Sequence, residues 1–210
     1  MRIICISDTH GKHQDVNLEP ADLIIHAGDM SEMGTKEQIL DFINWFSSLD
    51  YQYKILIAGN HDFFFELATS REIKKLIPDG IIYLNDSGVE IEGLKLWGSP
   101  VQPWFQNWAF NRSEKMIRLH WNEIPDDTDI LITHVPPQHI LDQNRRAESC
   151  GCPHLTTRLK DLKPQYHIFG HIHESYGMIE KNGTTYVNSS NLNFLYEYAN
   201  QPIIIDVNPL

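Results

Sequence analysis

Five short apolar runs in this chain each stop at a carboxylate, amide or imidazole side chain, and this repeated junction constrains the fold more than any other feature. The runs are residues 2–7, 22–27, 53–58, 129–133 and 166–170. They are followed by Asp8-Thr9-His10, Gly28-Asp29, Gly59-Asn60-His61-Asp62, His134 and His171-Ile172-His173. Ile55-Leu56-Ile57-Ala58 is apolar on both faces, as expected of a strand covered on each side. In α/β sheets, sites are assembled at the carboxyl ends of strands. Five polar clusters at five strand ends therefore predict one shared site.

Four more apolar runs lie at 81–84, 94–98, 184–188 and 202–206. Between the second and third runs, Thr35 and Gln38 have capping-box spacing, and Ile39, Phe42, Ile43 and Phe46 form one helical stripe. A second helix is expected from Ser113, burying Met116, Ile117 and Trp121. A third is expected over Leu155, Leu159 and Leu162, ending before Pro164. Strands alternate with helices early and crowd together late, which predicts an α/β layered fold with mixed sheets. With no repeat, low-complexity tract or linker, the 210 residues are expected to form one domain, residues 1–210.

Charge narrows the range of partners. Seventeen Lys and Arg against 28 Asp and Glu leave a net charge of −11, which opposes binding to long nucleic acids because that binding needs basic residues at phosphates. No run reaches the roughly 18 apolar residues of a membrane span, and Met1 to Ile6 reads as a strand, not a signal peptide. Cys5, Cys150 and Cys152 are too few for a disulfide framework, and Cys150-Gly151-Cys152 lacks the spacing of a zinc or redox motif. A cytoplasmic protein acting on small soluble molecules is the expectation.

Asp8, His10, Asp29, Asn60, His134, His171 and His173 offer only nitrogen and oxygen donors, which suits manganese, iron, zinc or nickel. Seven donors exceed what one ion with an open position needs, but they suit two ions sharing a carboxylate. Two Asp and one hydroxide against two divalent cations leave about +1, a site attractive to a phosphate ester even on an acidic chain. Taken singly, Asp-x-His or Gly-Asp is an ordinary loop or turn; taken jointly and in this order, they specify metal chemistry. His26 lies within a strand and is expected in the core or behind a ligand. His13, His120, His139, His154 and His167 lack a partner pattern and are expected in structural or surface positions.

Asp8-x-His10, Gly28-Asp29, Gly59-Asn60-His61-Asp62, Thr133-His134 and Gly170-His171-x-His173 together resemble the calcineurin-like metallophosphoesterase signature. Ile6-Ser7-Asp8-Thr9-His10, Tyr53-Lys54-Ile55, Pro103-Trp104-Phe105, Trp108, Phe110-Asn111, Trp121-Asn122 and His173-Glu174-x-Tyr176-Gly177 extend this. They resemble the metallophosphoesterase-domain-containing phosphodiesterase subfamily. The resemblance implies a four-layer αββα sandwich, two mixed β-sheets flanked by helices. It also implies that Asp8, His10 and His173 hold one metal, that Asn60, His134 and His171 hold a second, and that Asp29 bridges them, with manganese the first expectation. His61 would protonate the leaving group, and Asp62 would orient its ring. The implied activity is hydrolysis of a cyclic nucleotide or other small phosphodiester by in-line attack of a metal-bridging hydroxide. A phosphomonoesterase is the alternative, and a non-catalytic metal or nucleotide-binding module the third.

Four of the five tryptophans, Trp97, Trp104, Trp108 and Trp121, fall within residues 97–121. Trp97 and Trp121 are expected in the core. Trp104 and Trp108 lie in a loop, where they either stack a nucleobase or cap the sheet edge. Asn60, His61 and Asn111 are further candidates for substrate contact, and Arg112 is either a phosphate or base contact or solvated.

Overall fold

The computed structural model describes residues 1–207, so the last three residues of the expected single domain lie outside the described residues. In chain order the elements are β1 (Arg2–Ile6), β2 (Leu23–Ala27), α1 (Lys36–Ser48), β3 (Tyr53–Ile57), α2 (Phe63–Leu67) and α3 (Ser70–Leu76). Next come β4 (Ile82–Tyr83), β5 (Ser87–Ile91), β6 (Leu94–Ser99), β7 (Gln102–Pro103), β8 (Asn111–Arg112) and α4 (Glu114–His120). The chain continues through β9 (Ile130–Thr133), α5 (Pro153–Leu162), β10 (Tyr166–Phe169), β11 (Gly177–Lys181), β12 (Thr184–Asn188) and β13 (Ile203–Asp206).

One sheet runs β13-β1-β2-β3-β4 and the other β11-β12-β10-β9-β6-β5. Their inner strands are parallel and their antiparallel partners lie at the edges: β13 on β1, β11 on β12 and β5 on β6. Parallel pairing is what gathers several strand ends at one place. Both sheets are therefore mixed, as expected. The partner of the 202–206 run is β1, in the register Ile3↔Ile205 and Cys5↔Ile203.

Alternation along each strand divides the core into three apolar layers. Ile3, Leu23 and Ile55 of the first sheet meet Leu96, Ile130 and Ile168 of the second. Ile4, Ile24 and Leu56 point the other way, onto Ile39, Phe42 and Phe46 of α1. Leu131 and Phe169 pack outward onto Ile117 and Trp121, and onto Leu155 and Leu159 of α5. Helix, sheet, sheet and helix thus stack as four layers, each burying one face. Among the described residues, no helix is long and apolar enough to cross a membrane.

Some local expectations need correction. Thr35 Oγ1 accepts from Gln38 N (3.3 Å), but the Gln38 amide oxygen accepts from Met33 N (2.8 Å) and does not return to Thr35. A simple N-cap with a tether to the preceding loop replaces the capping box. Met116 is 54% exposed, because the buried face of α4 is carried by Ile117 with Trp121 just beyond. Helices α2 and α3 and the edge strands β5 and β11 lie outside the expected elements; α3 buries no residue fully, with Ile73 and Leu76 half-buried against the α1 layer. Trp121 is fully buried with its Nε1 donating to Cys152 Sγ (3.3 Å), and Trp97 is half-buried against the same layer.

Candidate metal centre

The centre lies where β1, β2 and β3 of one sheet and β9 and β10 of the other end. Asp8, His10, Asp29 and His171 all have left-handed backbones, with φ of 54°, 41°, 56° and 70°. Such angles are uncommon outside glycine and persist where surrounding bonds impose them. Here Asp8 N donates to Gly28 O and His10 N to Asp29 O, both at 3.0 Å, stitching the ends of β1 and β2 together. The bent loops turn side chains from both sheets toward one point.

Three groups of donors result: Asp8, His10 and His173; His10, Asp29 and His61; and Asp29, His134 and His171. Asp29 is shared. Its Oδ2 lies 3.3 Å from His134 Nε2 and 3.7 Å from His10 Nε2. Asn60 Oδ1 is 3.0 Å from His134 Nε2, which adds the amide to the third group. Three imidazoles are anchored through their far nitrogen: His10 Nδ1 on Ser31 O (3.2 Å), His134 Nδ1 on Ala27 O (3.0 Å) and His173 Nδ1 on Asn193 O (3.0 Å). Carbonyl partners make each Nδ1 the donor, so each Nε2 is left for the centre. Two of these, on His10 and His173, face each other at 3.4 Å.

The electrostatics favour a divalent cation at the centre. Burial opposes charge on Asp8 and Asp29, yet the surrounding imidazoles hold both well below the usual carboxylate range. Burial also disfavours a charged ring at His134 and His173, but Asp29 and Asp8 override it and lift both to about 9. Burial dominates at His10 and His171, which fall to about 4 and about 3. Two buried carboxylates that draw protons onto neighbouring rings accept a divalent cation in their place. The residues fit a metal pair. Binding must displace the protons held by His134 and His173, so apparent metal affinity is expected to rise with pH toward about 9. Calorimetry in buffers of different ionisation enthalpy would show proton release near neutrality; no release would contradict this account.

The ligands are themselves held in place. Asp8 Oδ2 accepts from Ser190 Oγ (2.8 Å) and from His171 N (2.9 Å), and Asp29 Oδ1 accepts from His61 N (2.8 Å). At Gly28 a Cβ would stand 2.5 Å from His134 Nδ1, and at Gly170 it would collide with the Asp8 carboxylate. The glycines of the strand-end motifs therefore make room for ligands. Asp62 departs from its expected task. It does not touch the His61 ring: its carboxylate accepts from Ser31 Oγ (2.6 Å), Ser31 N (3.0 Å) and Gly59 N (2.8 Å). It ties the loop after β2 to the loop after β3. Burial first, and Asp29 second, raise it to about 6 despite those bonds.

The group orienting His61 is the Glu32 carbonyl, which accepts from Nδ1 at 2.7 Å. His61 Nε2 then points inward, 4.0 Å from Asp29 Oδ2. Trp108 stacks on the imidazole at 4.2 Å and 28°. A cavity of about 170 Å³ opens here, lined by Asp29, Asn60, His61, Phe105, Trp108 and Tyr196 among others. Trp104 is 66% exposed and outside that lining. Asn111 uses its amide to build the loop, accepting from Phe105 N (3.1 Å) and donating to Gln106 O (3.1 Å). Arg112 pairs with Glu66 at 3.6 Å. Sequence reasoning missed the Glu32 carbonyl, Ser190, Asn193 and Tyr196. A backbone carbonyl leaves no side-chain signature, and the other three carry no motif that points to the centre.

Comparison with known proteins agrees with this geometry. Human metallophosphoesterase domain-containing protein 1 is 39% identical over 98% of this chain and 71% of its own length, and its mouse counterpart matches equally. The crystal structure of the TT1561 protein of Thermus thermophilus superposes with a TM-score of 0.62 at 14% identity, covering 89% of this chain and 88% of that one, a likeness of fold alone. The model of the calcineurin-like phosphoesterase family matches residues 1–175, which include every strand end that feeds the centre. With that match, that identity and a donor set suited to a metal pair, the chain belongs to the calcineurin-like phosphoesterase family and is a metal-dependent phosphoesterase.

Proposed function

We propose that this chain is a two-metal phosphodiesterase of small phosphodiesters, with a cyclic nucleotide as the leading substrate class. One observation carries the reading: Asp29 is shared between donor groups, and those groups open into a cavity that His61 also lines. The preference for a diester draws on the subfamily motifs around residues 103–111 and 173–177. Manganese is the first candidate for the metal.

Asp8, His10 and His173 would hold one cation, Asn60, His134 and His171 the other, with Asp29 between them. When bound, such a pair supplies positive charge to the phosphoryl oxygens and acidifies a water. The chain supplies the rest. Ser190 and the His171 amide keep Asp8 aimed at the centre, and Asp62 keeps the β2 and β3 loops in register. Because His61 Nδ1–H is committed to the Glu32 carbonyl, Nε2 is the ring atom left to deliver a proton to the leaving oxygen. A net charge of −11 and a cavity of about 170 Å³ favour a small substrate over a long nucleic acid. The exposed thiol of Cys150 suits a reducing compartment, and the cytoplasm is the proposed setting.

The test compares bis(4-nitrophenyl) phosphate with 4-nitrophenyl phosphate on Mn²⁺-loaded protein, beside a metal-free control. Faster metal-dependent cleavage of the diester supports the reading. Faster cleavage of the monoester makes the chain a phosphomonoesterase, and no turnover with metal bound makes it a binding module.

A further inference from the structure

Tyr196 stands at the mouth of the centre with φ of 60°, a left-handed angle that is a genuine outlier for a bulky side chain. A tight turn imposes it. Tyr196 N donates to Asn193 O (2.8 Å), Asn193 N donates to Glu197 O (2.8 Å), and Asn193 Oδ1 accepts from Leu195 N (2.8 Å) and Glu197 N (3.1 Å). Lys12 Nζ donates to the Tyr196 carbonyl from the loop after β1. Asn193 O also accepts from His173 Nδ1. One turn thus orients a metal-binding ring and presents Tyr196 beside it. Strain that the surroundings over-determine in this way collects at sites of function.

The Tyr196 ring lies 4.7 Å from the His10 ring, 5.2 Å from His173 and 6.4 Å from His61. It closes the His173 side of the cavity, and Phe105 and Trp108 line the opening with it. Trp108 has its contact with His61, whereas Tyr196 remains 40% exposed and Phe105 55% exposed. A phosphate anchored at the metals would therefore send its ester substituent past Tyr196.

We propose that Tyr196 is a specificity-determining residue, selecting phosphoesters that carry a planar aromatic group beside the phosphate over those carrying a small alkyl group. This rests on the phosphoesterase reading only for the anion at the centre. Aromatic contact of this kind changes affinity about 2–10-fold.

Calorimetric titration of Mn²⁺-loaded protein with phenylphosphonate and methylphosphonate tests it without turnover. The wild type is expected to bind the phenyl ligand about 10-fold more tightly. Tyr196→Ala should shrink that ratio to within about 2-fold, while Tyr196→Phe, which keeps the ring, should retain it. Leu195→Ala, in the same turn, should also retain it, which separates loss of the ring from a disturbed turn. Equal metal content in all four proteins completes the expected result. A wild type without preference, or a ratio that survives Tyr196→Ala, overturns the assignment. Failure to hydrolyse a diester, with this binding pattern intact, counts against the phosphodiesterase reading and supports Tyr196.

Discussion

Asp29→Asn should abolish the stabilisation that metal confers while leaving the metal-free protein folded. The substitution keeps the shape and the Oδ1 acceptor for His61 N (2.8 Å). It replaces Oδ2, which lies 3.3 Å from His134 Nε2 and 3.7 Å from His10 Nε2, with an amide nitrogen that has no lone pair for a cation. At a concentration of 100 times Kd, one bound metal stabilises the wild type by about 2.7 kcal/mol, or roughly 5–10 °C in Tm for a chain of this size. The variant should show less than about 1 °C and retain well under one ion per chain by elemental analysis. Its turnover should fall by about 10³-fold or more, since metal charge is worth several kcal/mol at the transition state. A variant that still holds two metals and gains the full Tm shift would remove Asp29 from the bridging position.

The metal-free comparison has its own sign. Burial and the Asp29 charge together lift Asp62 to about 6, so without metal these two carboxylates resist one another. Neutralising Asp29 relieves that repulsion, although it also removes the partner that lifts His134. A metal-free Tm close to that of the wild type is the expected balance.

The metal donors were legible in the sequence because each follows an apolar run that reads as a buried strand. Chain order and a parallel sheet do the rest: β1, β2 and β3 pair side by side, so Asp8, Asp29 and Asn60 arrive together. The three core layers were legible for the same reason, since runs such as 53–58 are apolar on both faces. What stayed hidden depends on tertiary pairing without local pattern. The Glu32 carbonyl takes the role assigned to Asp62 because the loop after β2 folds back over the loop after β3, and no residue type records that. Tyr196 and Asn193 lie in an irregular segment whose turn is defined by side-chain-to-backbone bonds. Helix α3 spans only seven residues, and its apolar face is limited to Ile73 and Leu76, half-buried against the α1 layer, too short a stripe to mark a helix.

His61→Ala is the second large effect, and its value lies in separating two roles that the geometry allows. His61 forms a donor group with His10 and Asp29, so it is placed to hold metal as well as to deliver a proton. If it is the general acid, removing it should lower turnover about 10²–10⁴-fold on a diester with an alkoxide leaving group. On bis(4-nitrophenyl) phosphate the loss should be only a few-fold, because 4-nitrophenolate departs without a proton. Two metals should remain bound. If His61 is instead a ligand, metal content falls and both substrates slow alike. Trp108→Ala provides the graded control: it removes the ring stacked on His61 at 4.2 Å without removing the imidazole. Its effect should be about 2–10-fold, confined to the alkoxide substrate, because a loosened acid still carries its proton but no longer holds it where the leaving oxygen needs it.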